Sequence, residues 1–181
     1  MKVLLDACVL YPTVLREILL CAAGQGLFTP LWSDRILEEW ARAARKIGPT
    51  GEAQARAEIA LVQLAWSNAI VQPAPGTEAR LWLPDPADIH VLSAAITGSA
   101  DILLTFNAKD FPRHTMTEEG LERLDPDQFL MRLKAENPNV IARCVAKVHD
   151  EACRLSGEDL DLRALMKRAR LPRLGKAISR L

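Results

Sequence analysis

The sequence predicts an α/β fold with a central parallel sheet, followed by a smaller all-helical region. Two short runs, residues 2–6 and 101–105, are apolar at successive positions instead of alternating, which is typical of buried parallel strands. Segments with a helical spacing of apolar residues lie between these runs, and helical patterns alone follow residue 128. Because parallel strands must be joined by crossovers, this alternation favours strands connected by helices.

The first part of the chain alternates extended and helical segments. The first strand ends at Asp6, and residues 13–23 carry an apolar stripe at helical spacing, with Thr13 as the predicted N-cap. Residues 27–32 form a second extended run. Ser33 is predicted to cap the next helix, which a Gly-Pro pair ends.

The middle of the chain contains an amphipathic helix over residues 52–70 and then a second helix start. Asp85, Pro86 and Asp88 match the N-cap, N1 and N3 positions of that second helix, where a carboxylate can accept bonds from free backbone N–H groups. From the residues alone, Asp85 is best explained as a cap, whereas Asp88 fits either a cap or a binding site. His90 is expected to be a packed histidine and not a ligand.

Helix-capping residues mark three further helical segments near the C-terminus. Asp125 or Asp127 lies near the cap of the first, and Asn139 is the predicted cap of the second. A Ser-Gly-Glu-Asp segment at residues 156–159 starts the last. We therefore predict that the α/β part of the chain ends close to the first of these caps.

The charge divides at the same boundary. Residues 1–128, the predicted α/β domain, carry 11 basic and 17 acidic residues and a net charge of −6. Residues 129–181, the predicted basic helical extension, carry 12 basic and 6 acidic residues and a net charge of +6. Seven basic residues and no acidic one follow Asp161. The asymmetry indicates separate roles for the two parts. The basic side chains of the extension either contact phosphates or are simply solvated.

Composition and cysteine spacing argue against several classes of protein. No apolar run approaches the ~20 residues that a transmembrane helix needs, and Asp6 interrupts the apolar start, which argues against a secretory signal. The four cysteines have neither metal-finger nor disulfide-framework spacing: Cys8, Cys21, Cys144 and Cys153. We therefore expect four reduced thiols in a cytoplasmic protein with no membrane partner.

Five oxygen-bearing side chains follow strands or lie on helices beside them, where open α/β sheets bind ligands. They are Asp6, Glu39, Asp88, Asn107 and Asp110. Because parallel strands bring their carboxyl ends to one edge, these groups would converge and would repel one another without a cation. Hard oxygen ligands suit Mg²⁺ or Mn²⁺, and such an ion can activate water against a phosphodiester. The sequence contains neither a Ser-His-Asp or Cys-His arrangement nor a glycine-rich phosphate loop.

Two adjacent glutamates compete for one place in this set. Glu38 and Glu39 point about 100° apart on a helix. Glu38 can form an i,i+4 surface ion pair with Arg42, while Glu39 lies at the edge of the apolar stripe, where it can face a cleft. Glu39 is therefore the candidate site residue, and a solvated surface acid is the alternative.

Two segments carry a resemblance to a known family. Residues 88–95 (DIHVLSAA) and 102–111 (ILLTFNAKDF) resemble the PIN domain, and most closely VapC-like toxins of bacterial toxin–antitoxin pairs. The strand that ends at Asp6 and the spacing from Ser33 to Glu39 agree with this resemblance, which covers residues 1–125. It implies a Rossmann-like three-layer α/β/α fold and an Mg²⁺-dependent endoribonuclease.

The resemblance also implies roles for the candidate residues. Asp6 and Asp88 would be the principal metal ligands, and Glu39 would be the third acid. Many members have aspartate where this chain has Asn107, so the fourth place is open between Asn107 and Asp110.

Thr105 would support this site by hydrogen bonding. The implied partners are an RNA substrate, an antitoxin whose tail enters the acidic groove, and a second copy of the chain in a homodimer. A catalytically weak PIN-fold module that binds RNA or protein stays open as an alternative. A phosphatase of similar layout would need a second aspartate at the position of Cys8.

Overall fold

A computed structural model describes residues 1–179 of the 181-residue chain. The chain divides into two compact units. The first contains Met1–Tyr11 and Thr29–Leu124, and the second contains Pro12–Phe28 and the described residues from Asp125 onward. The predicted helical extension, residues 129–181, runs two residues beyond the described part, and its boundary stays a prediction.

The first unit is built on a four-stranded sheet with the order β2-β1-β3-β4. Its strands are β1 (Lys2–Leu5), β2 (Thr29–Leu31), β3 (Ile102–Leu104) and β4 (Glu122–Leu124). Every pairing is parallel, as predicted. Leu5 pairs with Leu104 in the register of β1 and β3, so the residues that follow these strands come out side by side.

The helices, numbered in chain order, are α1 (Ala7–Leu10), α2 (Thr13–Gly24), α3 (Asp34–Ala43), α4 (Gly51–Ala65), α5 (Ile89–Thr97), α6 (Arg113–Glu118), α7 (Pro126–Glu136), α8 (Pro138–Ser156), α9 (Leu162–Arg168) and α10 (Pro172–Ile178). Short 3₁₀ turns lie at Ala44–Ile47, Ser67–Ala69, Glu78–Arg80 and Pro86–Asp88. No helix among residues 1–179 is long and apolar enough to cross a membrane.

Local capping rules predicted the starts of α3 and α7. The Ser33 hydroxyl accepts a hydrogen bond from the Ile36 amide at 3.3 Å, and the Asp125 carboxylate accepts one from the Gln128 amide at 2.9 Å. The predicted caps at Thr13 and Asn139 are wrong. Pro12 holds the N-cap position of α2, and α8 begins earlier than predicted, at a proline, which suits the first position of a helix.

Strand β4 was not expected. It is only three residues long, lies at the edge of the sheet, and has one exposed and two half-buried residues. Such a strand carries no apolar run, so the sequence offers no strong signal for it.

The second unit consists of α2 and the helices from α7 to α10. Phe28 and Phe129 pack edge to face with ring centroids 5.1 Å apart. Cys21 and Cys144 form a disulfide that joins α2 to α8, so the expectation of four reduced cysteines is wrong. These cysteines are 123 residues apart, and no local spacing could indicate the pair.

Candidate active site

Asp6 follows β1 and is only 7% exposed. Its Oδ2 atom accepts hydrogen bonds from the Thr105 hydroxyl at 2.6 Å and from the Cys8 thiol at 3.1 Å. The pairing of β1 with β3 explains the first bond, because it brings the residues after the two strands to the same level. With both donors on Oδ2, Oδ1 accepts no hydrogen bond from the described residues and is the oxygen available to an ion.

Cys8 is a second support of this carboxylate. Burial and the negative charge of Asp6 raise the pKa of the Cys8 thiol to about 12. The thiol therefore keeps its proton near neutral pH and can donate it to Asp6. Its sulfur also accepts a bond from the Phe106 amide at 3.4 Å, which ties the segment after β3 to the start of α1.

The start of α5 gives its two aspartates different tasks. Asp85 caps the 3₁₀ turn by accepting a bond from the Ala87 amide at 2.9 Å, as predicted. Asp88 makes no side-chain bond to the helix start. Its Oδ2 instead accepts a bond from Nδ2 of Asn107 at 3.2 Å. Of the two readings left open for Asp88, the structure therefore favours the one in which its carboxylate faces a site.

Carboxylates converge around Asp88. Oxygen atoms of Asp85, Asp88 and Asp110 all lie within 4.8 Å of one another. The pKa of Asp88 is raised to about 6, first by burial and then by the negative charges of four neighbours: Asp6, Asp85, Asp110 and Glu39. None of these acids pairs with a lysine or arginine among residues 1–179. The cluster is therefore a concentrated negative charge that no lysine or arginine of the described residues pairs with.

The turn after β3 is held at both ends. Its start is fixed by the backbone N–H of Asn107, which donates to the Thr105 hydroxyl oxygen at 3.0 Å. At its far end the Arg123 guanidinium, on β4, donates to the carbonyl oxygens of Ala108 and Phe111, the latter at 2.6 Å. These two carbonyls bracket Asp110, so the arginine restricts where that carboxylate can lie.

The structure separates the two glutamates of α3. Arg56 and Arg42 bond to Glu38 and lower the pKa of that carboxyl to about 2, so Glu38 belongs to a surface ion network. Glu39 lies close enough to Asp88 to raise the pKa of that carboxyl. The expectation that Glu38 pairs with Arg42 is confirmed, and Glu39 is the glutamate near the cluster.

His90 lies against Glu39. Its Nε2 atom is 2.7 Å from Glu39 Oε1, and the side chain is only 1% exposed. Neither ring nitrogen meets the geometry of a hydrogen bond within the described residues, because the close contact with Glu39 is poorly aligned. As predicted, His90 is a packed, buried histidine. Its position beside Glu39 was not predicted.

Comparison with known families now gives this geometry a context. A family model described as PIN domain matches residues 2–109. The chain belongs to the PIN-domain family. The predicted fold class, a PIN-like three-layer α/β/α fold with a central parallel sheet, is confirmed by this match and by the parallel sheet. No curated protein and no solved structure matches the chain.

PIN domains are generally nucleases that use a divalent metal, and the residues of this PIN domain fit such an ion. Three carboxylates within 4.8 Å of one another offer the hard oxygen donors that Mg²⁺ and Mn²⁺ prefer. Burial is the first cause of the raised pKa of Asp88, and the neighbouring negative charges raise it further. Clustered negative charge of this kind favours any bound cation, whether a proton or a metal.

Four residues that lie in this carboxylate cluster or contact residues beside it were not predicted from the sequence as site candidates. Asp85 was assigned to capping alone, although its spacing of three from Asp88 is a signal that the two could converge. Cys8 lies two residues after Asp6, which is also a readable signal. His90 and Arg123 carry no such signal, because their roles depend on contacts with Glu39 and with a turn that β4 brings close.

Proposed function

We propose that this PIN domain is an Mg²⁺-dependent endoribonuclease and the toxin of a toxin–antitoxin pair. One observation carries the proposal: carboxylate oxygens of Asp85 and Asp88, before α5, and of Asp110, after β3, lie within 4.8 Å of one another. The negative charges of Asp6 and Glu39 also act on Asp88. Carboxylates this close repel one another, so a cluster with only a structural role would be expected to contain a lysine or arginine.

In the proposed site, Asp6 and Asp88 are the principal ligands of the ion, and Asp85 and Asp110 complete the negative cluster. Bound there, Mg²⁺ or Mn²⁺ would supply an activated water and neutralise charge on the phosphodiester. Neighbouring side chains orient Asp6, one of the proposed metal-binding residues. Thr105 and Cys8 donate to Oδ2 of Asp6, which leaves Oδ1 without a hydrogen bond from the described residues.

Glu39 is proposed as the third acid, which would accept a proton or orient the attacking water. Its neighbour His90 limits the positions that its carboxylate can take. Asn107 and Asp110 share the fourth place. Asn107 contributes an amide that bonds to Asp88, and Asp110 contributes the charge.

The first experiment compares RNA cleavage by the wild-type chain with that by Asp6→Asn and Asp88→Asn, in Mg²⁺, in Mn²⁺ and in EDTA. We expect both substitutions to lower cleavage by at least ~100-fold, and EDTA to abolish it. Asp34→Asn is a matched control, because Asp34 is exposed and only accepts a bond from Gln72. Cleavage that persists in EDTA or survives both substitutions contradicts the metal-acid mechanism.

The toxin role rests on the resemblance to VapC-like proteins, and with it the antitoxin partner, the homodimer and the cytoplasmic location. Expression of the chain in a bacterial host should arrest growth, and co-expression of the neighbouring small gene should restore it. Asp88→Asn should remove the arrest. Arrest by the inactive variant would show that toxicity does not depend on cleavage.

Asn107 favours a second candidate function, a catalytically weak module that binds RNA or protein. Its amide donates to Asp88 and partly satisfies a carboxylate that a metal would otherwise need to neutralise. Asn107→Asp separates the two functions. A nuclease should keep or gain activity and bind Mn²⁺ more tightly with the added carboxylate, whereas a binding module should stay inactive.

A further inference from the structure

The last two helices expose a set of basic side chains. We call this set the basic hairpin surface; it consists of Arg163, Lys167, Arg168, Arg173 and Lys176, all exposed. The set forms no ion pair with any acidic side chain of residues 1–179. The nearest acid in sequence, Asp161, is engaged as the cap of α9 through the Ala164 amide. Within the described residues, therefore, no acidic side chain pairs with these cations.

The two helices are packed closely enough to present these charges as one element. A Cβ atom at Gly175 would lie 2.7 Å from Cβ of Met166, so glycine is what allows α10 to approach α9. A Cβ atom at Gly175 would also lie 3.9 Å from the Cα atom of Arg163. Arg163 on α9 is therefore close to the part of α10 that carries Lys176.

The apolar side of the hairpin is already used. Leu165, Met166, Leu171 and Leu174 are buried, and α10 packs on α7 within the same unit. A helix that inserts into a bilayer surface needs an apolar face that is free to enter it. Among its described residues no large apolar side chain is exposed, while five basic side chains are, which favours a hydrophilic polyanion over a membrane.

The start of α10 is also occupied, so the attraction must come from side chains. Both carboxylate oxygens of the buried Asp127 accept bonds from the first amides of this helix, those of Arg173 at 2.9 Å and Leu174 at 3.0 Å. This cap neutralises the helix N-terminus and fixes the direction of α10. Exposed cations on a fixed element suit repeated phosphates, because each contact releases counter-ions without ordering a flexible tail.

We propose that the basic hairpin surface binds the phosphate backbone of single-stranded RNA. The choice of RNA as the polyanion rests on the proposed nuclease function, and the surface itself lies outside the acidic cluster. Binding here is sequence-independent and electrostatic. It gives an acidic catalytic domain, whose own charge repels RNA, a second place to hold its substrate.

The test measures RNA binding without cleavage. The full chain with Asp6→Asn and Asp88→Asn is titrated onto a labelled single-stranded RNA in EDTA, at several salt concentrations, and binding is followed by fluorescence anisotropy. The test variant adds four substitutions to this background: Arg163→Gln, Lys167→Gln, Arg173→Gln and Lys176→Gln. We expect at least ~10-fold weaker binding, and a salt dependence lower by about 0.7 per lost contact in the slope of log K against log salt.

The matched control removes the same charge elsewhere, with Lys46→Gln, Arg113→Gln, Arg143→Gln and Lys147→Gln. It should bind RNA like the background protein. Equal loss in both variants, or no loss in the hairpin variant, overturns the proposal. Binding of the background protein to anionic phosphatidylglycerol vesicles in preference to RNA also overturns it.

Two further controls keep the result interpretable. Thermal unfolding checks that the hairpin variant is folded, and the milder pair Arg163→Gln with Lys176→Gln should show an intermediate loss. Because binding is measured in an inactive, metal-free protein, it does not depend on the nuclease proposal. If the wild type binds RNA through this surface but never cleaves it, the nuclease proposal fails while this one stands.

Discussion

Thr105 donates its hydroxyl hydrogen to Asp6 across 2.6 Å and so joins two residues that lie 99 positions apart in the chain. The same hydroxyl oxygen accepts a hydrogen bond from the backbone N–H of Asn107 at 3.0 Å. One side chain therefore links the end of β1 to the turn after β3. This link sets which oxygen of Asp6 remains available.

Thr105→Val keeps the shape of the side chain and removes the donor. We expect cleavage and Mn²⁺ affinity to fall by about 10- to 100-fold, because a hydrogen bond to a carboxylate is worth ~1.5–3 kcal/mol. Thr105→Ser keeps the hydroxyl and should retain most of the activity. Wild-type activity and Mn²⁺ affinity in Thr105→Val would show that Asp6 needs no such support.

Stability of the metal-free protein should fall as the pH rises from about 4 to about 6. The pKa of Asp88 is raised from 3.8, the ordinary value of an aspartate, to about 6 in the folded protein, so the folded state holds more protons in this window than the unfolded state. The stability that protonated Asp88 contributes is complete below pH 3.8 and is lost as the pH rises through about 6. We expect a change of about 1 kcal/mol after allowing for solvent screening.

Mg²⁺ should act in the opposite direction, because it binds the ionised carboxylate. Its stabilising effect should be small below pH 5 and should grow above pH 6. Urea unfolding across this range, with and without Mg²⁺, measures both trends. Asp88→Asn should flatten them, and a pH profile that this substitution leaves unchanged would assign the titration to another group.

His90→Leu tests whether the histidine positions Glu39. The free energy of unfolding should stay equal or rise by up to ~1 kcal/mol, because no aligned hydrogen bond is lost and a buried polar group is removed. Cleavage should nevertheless fall, since the contact with Glu39 disappears. His90→Gln can restore a donor and should recover part of the activity; a loss of stability without loss of cleavage would indicate a packing role alone.

Arg123→Met keeps the aliphatic stem of the arginine and removes both bonds to the turn. We expect a loss of about 2–3 kcal/mol in the free energy of unfolding and weaker Mn²⁺ binding, because the Ala108 and Phe111 carbonyls lose a charged donor. Isothermal titration with Mn²⁺ measures the second effect. Arg113→Met, at an exposed position nearby, should change neither quantity.

Reduction of the Cys21–Cys144 disulfide should lower the melting temperature of the wild-type chain. A bond that closes a loop of 123 residues can contribute up to about 4–5 kcal/mol in the chain-entropy model. The double variant Cys21→Ser, Cys144→Ser should melt at the same lower temperature with and without reductant. Cys153→Ser leaves the pair intact and should respond to reductant like the wild type; a melting temperature indifferent to reductant would mean that the bond adds nothing.

The predictable features are those that neighbouring residues decide. The buried strands β1 and β3 follow from three apolar residues in succession, and the caps Ser33 and Asp85 follow from one side chain and the amides two or three positions on. The positions of the site acids after strands or on adjoining helices were predictable for the same reason. Strand β4 was not, because a short edge strand has little apolar character of its own.

The sequence by itself determined which residue types stand at the ends of β1 and β3 and how α3 and α7 begin. Only the tertiary structure decided that Asp85 caps a turn and also joins a carboxylate cluster, that Oδ2 of Asp6 is held by Thr105 and Cys8, and that Cys21 meets Cys144. The physical reason is distance along the chain. Hydrogen bonds, charge repulsion and thiol pairing depend on separations of a few ångströms between residues that only folding brings together.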